Sequence, residues 1–194
     1  MSPTLIALDE LKVRSASVGV AGDHEVGLAS IVRAAIDADV DAIHRLVTEH
    51  VVEGRLLPRS RQEIAARIAR FIVALDNGRV VGCADLAPLS RRVAEVRSLV
   101  VAGGARSCGT GRRLVRELEK RAIMSGFESL TAFTHTPGYF VQLGFSIVPH
   151  TWVPEKIAAD CRTCAHFRRC GQYAVMLPLI RIQASGAPAR STHA

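Results

Sequence analysis

Apolar and polar residues change their period several times along the chain, and each change indicates a boundary between a strand and a helix. Short runs rich in valine, leucine and isoleucine predict strands, and Asn77-Gly78 between two of them is typical of a hairpin turn. Pro178 favours an edge position for the last strand, because proline lacks the N–H that a central strand needs. The predicted strands cover residues 28–36, 71–75, 79–86, 93–101, 129–134, 145–148 and 173–180.

Apolar residues three or four positions apart predict helices between these strands. Each predicted helix has a recognisable start: an aspartate or Ser60 as N-cap, a glycine-bearing loop, or a proline in the first turn. A glutamate three residues after Ser60 completes a capping box. The capping and apolar positions are Asp37 or Asp39 with Val40, Ile43 and Val47; Ser60 and Glu63 with Ile64, Ile68 and Phe71; Gly111 to Met124 with Gly126 at the end; and Thr136-Pro137.

The predicted strands and helices are interspersed without an internal repeat, which indicates one mixed α/β domain. We place this domain at residues 28–180, with tails at 1–27 and 181–194, because neither end shows a sustained period. A chain of 194 residues that is 48% hydrophobic can bury one core. No apolar run is long enough to cross a membrane and the first residues lack a signal-peptide profile, so we expect a cytoplasmic protein without a membrane partner.

Basic residues outnumber acidic ones by 25 to 18, and almost all of the positive charge comes from arginine. Arginine binds carboxylates and phosphates through two parallel hydrogen bonds, so a small anionic ligand is expected. Nucleic acid is not favoured as a partner. Aromatic residues make up 5% of the chain and do not alternate with basic residues in one stripe.

The segment that joins the strand at 93–101 to the following helix has the composition of a phosphate-binding loop. Gly109 and Gly111 leave the backbone open to a phosphate, at the place where the positive end of the helix dipole points. The segment lacks the lysine of a Walker motif and the third glycine of a dinucleotide-binding fingerprint. An ordinary glycine-rich turn is the alternative. The basic residues of the loop are Arg106, Arg112 and Arg113.

Three features follow one another along the chain: the hairpin at 71–86, the motif Arg106-x-x-Gly109-x-Gly111, and Leu143-Gly144-Phe145. With them the chain resembles the GNAT superfamily of N-acetyltransferases over about residues 28–179. The resemblance implies the GNAT fold, a central mixed and mostly antiparallel sheet flanked by helices. It also implies acetyl-CoA as the co-substrate.

Four further motifs resemble the acetyltransferase domain of N-acetylglutamate synthases. They imply transfer of acetyl to the α-amine of L-glutamate, the first step of arginine biosynthesis. Another small amine or amino acid as acceptor is an alternative, as is a CoA- or zinc-binding regulator without catalysis; a homodimer is left open. The motifs are Leu57-Pro58-Arg59-Ser60-Arg61, Val81-Gly82-Cys83, Glu95-Val96-Arg97-Ser98-Leu99 and Phe140-x-x-Leu143-Gly144-Phe145, with residues 156–170 similar to the cysteine-bearing segment of the short, single-domain members.

The same resemblance implies direct attack of the amine on the thioester, with a backbone amide of Val100 or Val101 polarising the carbonyl. Glu95 is the hypothesised base for the amine, and an ion pair with Arg97 is the alternative role. Substrate contacts are assigned to Leu57, Arg59, Arg97 and Ser98. Acetyl-CoA contacts are assigned to Leu99, Val100, Val101, Arg106, Ser107, Cys108, Gly109, Thr110, Gly111, Arg112 and Arg113.

Phe140 stands where many members of the superfamily carry a tyrosine general acid, and the adjacent Tyr139 is expected to face elsewhere. The proton donor to the CoA thiolate is therefore unassigned.

An odd number of cysteines, 5, does not favour a disulfide framework. Four ligand-type residues near the end of the domain have the composition of a zinc site, but their spacing is cramped and reduced thiols are the alternative. We therefore assign no metal. The four residues are Cys161, Cys164, His166 and Cys170.

Overall fold

The computed structural model describes residues 31–52, 56–164 and 167–179. Within this part of the chain, the strands form a single mixed sheet in the order β1-β2-β3-β4-β5-β7-β6. Neighbouring strands are antiparallel except β4 and β5, which are parallel. The strands are β1 (Ile31–Ala34), β2 (Phe71–Asp76), β3 (Arg79–Pro88), β4 (Val93–Val101), β5 (Ser129–Thr134), β6 (Ser146–Val148) and β7 (Tyr173–Pro178).

The predicted fold class and the predicted order of strands are confirmed, with two corrections at the ends of the chain. β1 is shorter than the predicted run 28–36: it ends before the 3₁₀ turn Asp37–Asp39, and residues 28–30 lie outside the described residues. β7 is not an edge strand, because it pairs with β5 on one side and β6 on the other. Pro178 is its last residue and lies beyond the register of β6, so its missing N–H does not interrupt that ladder.

Helices cover both faces of the sheet. The predicted capping box at Ser60 is formed, with its hydroxyl oxygen accepting from the Glu63 N–H at 3.1 Å. Among the described residues, no helix is long and apolar enough to cross a membrane. The helices are α1 (Val40–Val52), α2 (Arg61–Ala65), α3 (Thr110–Met124), α4 (Pro137–Val141) and α5 (Pro154–Ala159).

The helix predicted from Ser60 to Phe71 is much shorter than expected. α2 ends at Ala65, Ile68 lies in a 3₁₀ turn, and Phe71 is the first residue of β2. Its apolar spacing is real, since Ile64 and Phe71 are buried in one cluster. The ladder of β2 with β3 satisfies the backbone from Phe71 onward, so tertiary pairing replaces the last helical turns.

The core is divided by the sheet into two layers, as alternation along β2 requires. Ile72 and Ala74 face α3, whose Leu114 and Leu118 are fully buried against them. Val73 points the other way and packs with residues of α1 and α2. α3 and α1 are thereby fixed on opposite faces at the end of β4.

Candidate active site

A cleft opens in the middle of the sheet, between the carboxyl ends of β4 and β5. In the described part of the chain the two strands pair only where Val93–Glu95 meets Ser129–Thr131. The remaining residues of β4, from Val96 onward, continue beside β3 and leave β5. A gap between parallel strands at their carboxyl ends is a place where a ligand can enter a sheet and meet backbone groups.

A β-bulge lies on β4 at this gap. The register with β3 passes from Arg97 opposite Asp85 to Val100 opposite Cys83, so Ser98 and Leu99 share one partner position. Ser98 has a φ of +48°, in the left-handed region that serine seldom adopts. The bulge turns the backbone of Ser98 and Leu99, two of the predicted contact residues, out of the regular ladder. No local signal in the sequence indicated it.

The glycine-bearing loop follows β4 and ends at the start of α3, as predicted. Gly109 is the N-cap with a φ of +75°, and its carbonyl accepts the first helical bond from Arg113 at 3.0 Å. The N–H groups of a first helical turn precede this ladder and carry the positive end of the helix dipole. Ser107 and Cys108 are exposed beside them. The loop thus presents backbone donors to the mouth of the cleft.

The three loop arginines have different surroundings. Arg112 is exposed, whereas Arg113 donates through Nη2 to the Thr110 hydroxyl at 3.3 Å. Arg106 turns back along the end of β4: its Nε donates to the Val101 carbonyl at 3.2 Å, and its Nη2 lies 2.7 Å from Nε2 of His50. Arg106 therefore connects the loop to α1.

His50 in this contact is a neutral ring of defined tautomer. Its Nδ1 lies 2.9 Å from the Leu46 carbonyl, which can only accept, so Nδ1 carries the proton. Nε2 then accepts from the guanidinium of Arg106, which can only donate. His50 is 7% exposed, and its place at the end of α1 gave no sign of this contact in the sequence.

Tyr139 does not face away from the cleft as expected. A Cβ built on Gly111 would lie 2.6 Å from the Tyr139 hydroxyl oxygen and 3.7 Å from a methyl carbon of Val101. The hydroxyl therefore lies between the end of β4 and the start of α3. Burial raises the pKa of Tyr139, although the charge of Arg112 opposes the shift, so the phenol stays protonated. Phe140 is buried and packs edge-on against Phe145 instead.

Charged side chains form the opposite side of the cleft. Glu95 is 3% exposed; its Oε1 accepts from Lys156 Nζ at 2.7 Å and its Oε2 accepts from Arg97 Nε at 2.5 Å. The ion pair with Arg97 that the sequence allowed is thus formed. Asp160 accepts from Arg97 as well, and from Lys156 Nζ at 2.8 Å. Two cations and two carboxylates alternate in one group.

Arg59 lies beside this group. With the described residues it forms no ion pair within 4 Å, yet its charge acts on the carboxyl groups of both Asp85 and Asp160. Asp85 is bound by Arg70 through two hydrogen bonds, of 3.0 and 2.9 Å. Counting Arg59, Arg97 and Lys156 against Glu95 and Asp160, this side of the cleft carries an excess of one positive charge.

Lys156 and Asp160 are functional candidates that the sequence did not reveal. They stand four residues apart at the end of α5, a spacing that puts both on one helix face. That spacing was the only local signal, and it is common on helix surfaces. α5 lies in the connection between β6 and β7, and its contacts with Glu95 and Arg97 span separations of 61 and 63 residues. Leu57, a predicted substrate contact two residues before Arg59, is 57% exposed.

The cysteines have little in common in the structure. Cys83 is fully buried, and this desolvation raises the pKa of its thiol to about 12. Cys161 and Cys164 are half-buried and Cys170 is exposed, while His166 lies outside the described residues. Over the described ranges, no three His, Cys, Asp or Glu side chains are grouped as a metal site.

A sheet that opens between two parallel strands, beside a glycine-bearing loop at the start of a helix, is typical of N-acetyltransferases with the GNAT fold. The sequence matches the profile of the Acetyltransferase (GNAT) family over residues 40–145, and the chain belongs to this family. It is an acetyl-CoA-dependent N-acetyltransferase, with acetyl-CoA as co-substrate.

Three individual proteins are similar to this chain over different shares of their length. The chain is 34% identical over 148 residues to an uncharacterized N-acetyltransferase of Chlorobaculum tepidum, covering 76% of this chain and 96% of that protein. It is 35% identical over 109 residues to the amino-acid acetyltransferase of Ralstonia nicotianae, covering 55% of this chain and 24% of that protein. It is also similar to N-acetylglutamate synthase from Neisseria gonorrhoeae complexed with coenzyme A and N-acetyl-glutamate, with a TM-score of 0.72, 26% identity, and coverage of 78% of this chain and 35% of that chain.

Proposed function

We propose that this protein transfers the acetyl group of acetyl-CoA to the α-amine of L-glutamate, which is the first step of arginine biosynthesis. The observation that carries the proposal is the cationic excess of Arg59, Arg97 and Lys156 beside the opening of the sheet. Glutamate brings two carboxylates and one amine. Cations that line one wall of a cleft attract such an acceptor and direct its amine toward β4.

The reaction is a direct displacement at the thioester. The neutral amine attacks the acetyl carbon, the C–S bond breaks, and the CoA sulfur leaves as a thiolate that takes up a proton. In the described part of the chain β4 pairs with β5 only as far as Glu95, so the later residues of β4 face the gap, and we assign the amide of Val100 or Val101 to the developing oxyanion. Donors fixed in a strand need no rearrangement when the charge appears.

Proton transfer requires two further groups. We assign removal of the amine proton to Glu95, directly or through a water molecule, since this carboxylate is the buried acid of β4 beside the cleft. For the thiolate, the hydroxyl of Tyr139 is the candidate donor, because it lies between Val101 and Gly111 and its phenol keeps its proton. Substrate contacts are assigned to Leu57, Arg59, Arg97 and Ser98.

Two relatives support this proposal, although this chain spans only part of each of them. The Ralstonia amino-acid acetyltransferase and the Neisseria N-acetylglutamate synthase are longer proteins, of which this chain spans 24% and 35%. The choice of glutamate therefore needs a direct measurement on this protein.

The deciding experiment incubates the purified protein with acetyl-CoA and equal concentrations of glutamate, glutamine, aspartate, lysine and spermidine, and identifies products by mass spectrometry. We expect N-acetylglutamate to dominate. Acetylation of spermidine or lysine in preference would contradict glutamate as the acceptor and keep the enzyme class. Binding of acetyl-CoA with no transfer to any amine would favour a regulator.

The variant Arg59→Ala tests the cationic wall. Loss of a charge-assisted hydrogen bond of about 1.5–3 kcal/mol raises the KM for glutamate roughly 10- to 100-fold, while the KM for acetyl-CoA stays unchanged. Arg61→Ala is the matched control, since Arg61 is 63% exposed and, among the described residues, its ion-pair partner is Asp41 at the surface. Equal effects of Arg59→Ala on both KM values would remove Arg59 from acceptor binding.

A further inference from the structure

Asp160 occupies an unusual place in the charged side of the cleft. Its Oδ2 accepts from Lys156 Nζ at 2.8 Å and from Nη2 of Arg97, so two cations converge on a single carboxylate oxygen. The side chains of Arg97 and Lys156 are 13% and 14% exposed, whereas that of Asp160 is 38% exposed. The carboxylate therefore covers the two cations from the solvent side.

A guanidinium and an ammonium that converge on one carboxylate form a typical binding site for a carboxylate ligand. Burial would raise the pKa of Asp160, but the Lys156 hydrogen bond and the charges of Lys156, Arg97 and Arg59 outweigh it and hold the pKa below its usual range. Asp160 is accordingly ionised at neutral pH. In charge and shape it matches the carboxylate of an amino acid.

The second carboxylate of the group cannot serve the same purpose. The Glu95 side chain is 4% exposed and belongs to β4, where Lys156 donates to both of its oxygens and Arg97 donates to Oε2 as well. Asp160 lies outside the sheet, at the carboxyl end of α5, and its backbone N–H is bonded to Lys156 within that helix at 3.0 Å. A rotation of its side chain breaks no strand pairing.

We propose that Asp160 is an internal competitor for the acceptor's carboxylate, and that Lys156 and Arg97 bind that carboxylate once Asp160 has turned away. Lys156 thereby becomes a specificity-determining residue for acceptors that carry a carboxylate. The exchange replaces one carboxylate by another, so the two cations keep an anionic partner before and after it. The inference rests on the proposed function for the nature of the acceptor.

When an internal group occupies a site, the apparent Kd of a ligand equals its intrinsic Kd divided by the fraction of protein in which the site is open. Removing the charge of Asp160 without changing its shape should therefore strengthen acceptor binding. For Asp160→Asn we expect the KM for glutamate and the Kd for glutarate, a dicarboxylate that cannot be acetylated, to fall about threefold or more. The KM for acetyl-CoA should stay unchanged.

Lys156→Gln should have the opposite effect and raise the Kd for glutarate about tenfold, because one of the two cationic donors is lost. Asp160→Glu keeps the competing charge and should behave like the unmodified protein. Asp41→Asn is the matched control: it neutralises an aspartate that is 74% exposed and paired with an arginine at the surface. The melting temperature of every variant is recorded to test whether it is folded.

Glutarate binding separates this inference from the proposed function. If glutamate is not acetylated but Asp160→Asn still binds glutarate more tightly, the choice of substrate is wrong and the competition is correct. If glutamate is acetylated and Asp160→Asn binds glutarate equally or more weakly, Asp160 serves to hold the two cations in place and the inference is overturned. Should Asp160→Asn not fold, Asp160→Ser is measured with the same ligand and the same criterion.

Discussion

On its proposed cofactor side the cleft consists of consecutive backbone groups in the loop 106–113, whereas on its proposed acceptor side it consists of charged side chains from distant segments. Gly109 and the first turn of α3 provide donors that need no side-chain ordering. Glu95, Arg97, Lys156 and Asp160 instead hold each other through buried and half-buried ion pairs. Such pairs are stable only together, since removing one member leaves an uncompensated charge.

This difference implies that the two sides respond differently to substitution. The loop should be most sensitive to added volume near its backbone. The ion-pair group is sensitive to any change of charge. Variants on one side should therefore alter the kinetic constants of one substrate and leave those of the other substrate unchanged.

The largest effect is expected for Glu95→Gln, which removes the proposed base and keeps the shape of the side chain. We expect kcat to fall on the order of 10²-fold, with a smaller fall at high pH, where more of the amine is neutral without a base. Steady-state kinetics at saturating glutamate between pH 7 and 10 measure this. An unchanged kcat with a lower melting temperature would make Glu95 an ion-pair partner of Arg97 and Lys156 alone.

A smaller effect is expected for Gly111→Ala on the cofactor side. The added Cβ would lie 2.6 Å from the Tyr139 hydroxyl oxygen, so either α3 or Tyr139 must shift, and we expect the Kd for acetyl-CoA to rise about tenfold. Calorimetric titration gives this value. Gly104→Ala is the matched control, because nothing lies within 4 Å of a Cβ built there.

The double variant Gly111→Ala, Tyr139→Phe identifies the cause of that loss. Removing the hydroxyl leaves the nearest ring carbon 3.5 Å from the new methyl group, an ordinary contact. Recovery of binding in the double variant would show that the clash with Tyr139 is responsible. A loss that persists would mean that the methyl group obstructs acetyl-CoA itself.

The smallest effect is expected for His50→Leu, which removes the acceptor for Arg106. Arg106 keeps its hydrogen bond to the Val101 carbonyl, so only part of its positioning is lost, and we expect the KM for acetyl-CoA to rise roughly two- to tenfold while kcat stays unchanged. His50→Gln, which keeps a polar side chain, should restore part of the affinity, and His44→Leu on the same helix serves as the control. A change in the KM for glutamate alone would contradict the connection to the loop.

Much of the fold follows from local sequence signals. The hairpin at Asn77-Gly78, the capping box at Ser60 and the strands β4 and β5 were all predicted, the last two with the boundaries that the structure has. Each depends on residues close together in the chain. The predicted helix after Ser60 was too long, because pairing of Phe71 with β3 replaced a helical turn that the same apolar spacing also allowed.

The candidate site divides in the same way. Arg106, Gly109 and Gly111 belong to one contiguous motif, so the sequence alone indicated a site for an anionic ligand at the start of α3. The direction of Tyr139 was wrongly predicted, since the orientation of the short helix α4 is set by the burial of its neighbour Phe140. The position of Tyr139 in the sequence does not reveal how α4 is oriented.

The sequence by itself determined the class of fold and the position of the glycine-bearing loop between β4 and α3, because hydrophobic periods, caps and glycines act over a few residues. Only the tertiary structure decided that Lys156 and Asp160 meet Glu95 and Arg97, and that His50 meets Arg106. These contacts depend on the order of strands in the sheet and on where it places α1 and the connection that carries α5. An ion pair requires two charges that are close together in space, at any separation along the chain, so no local sequence pattern specifies it.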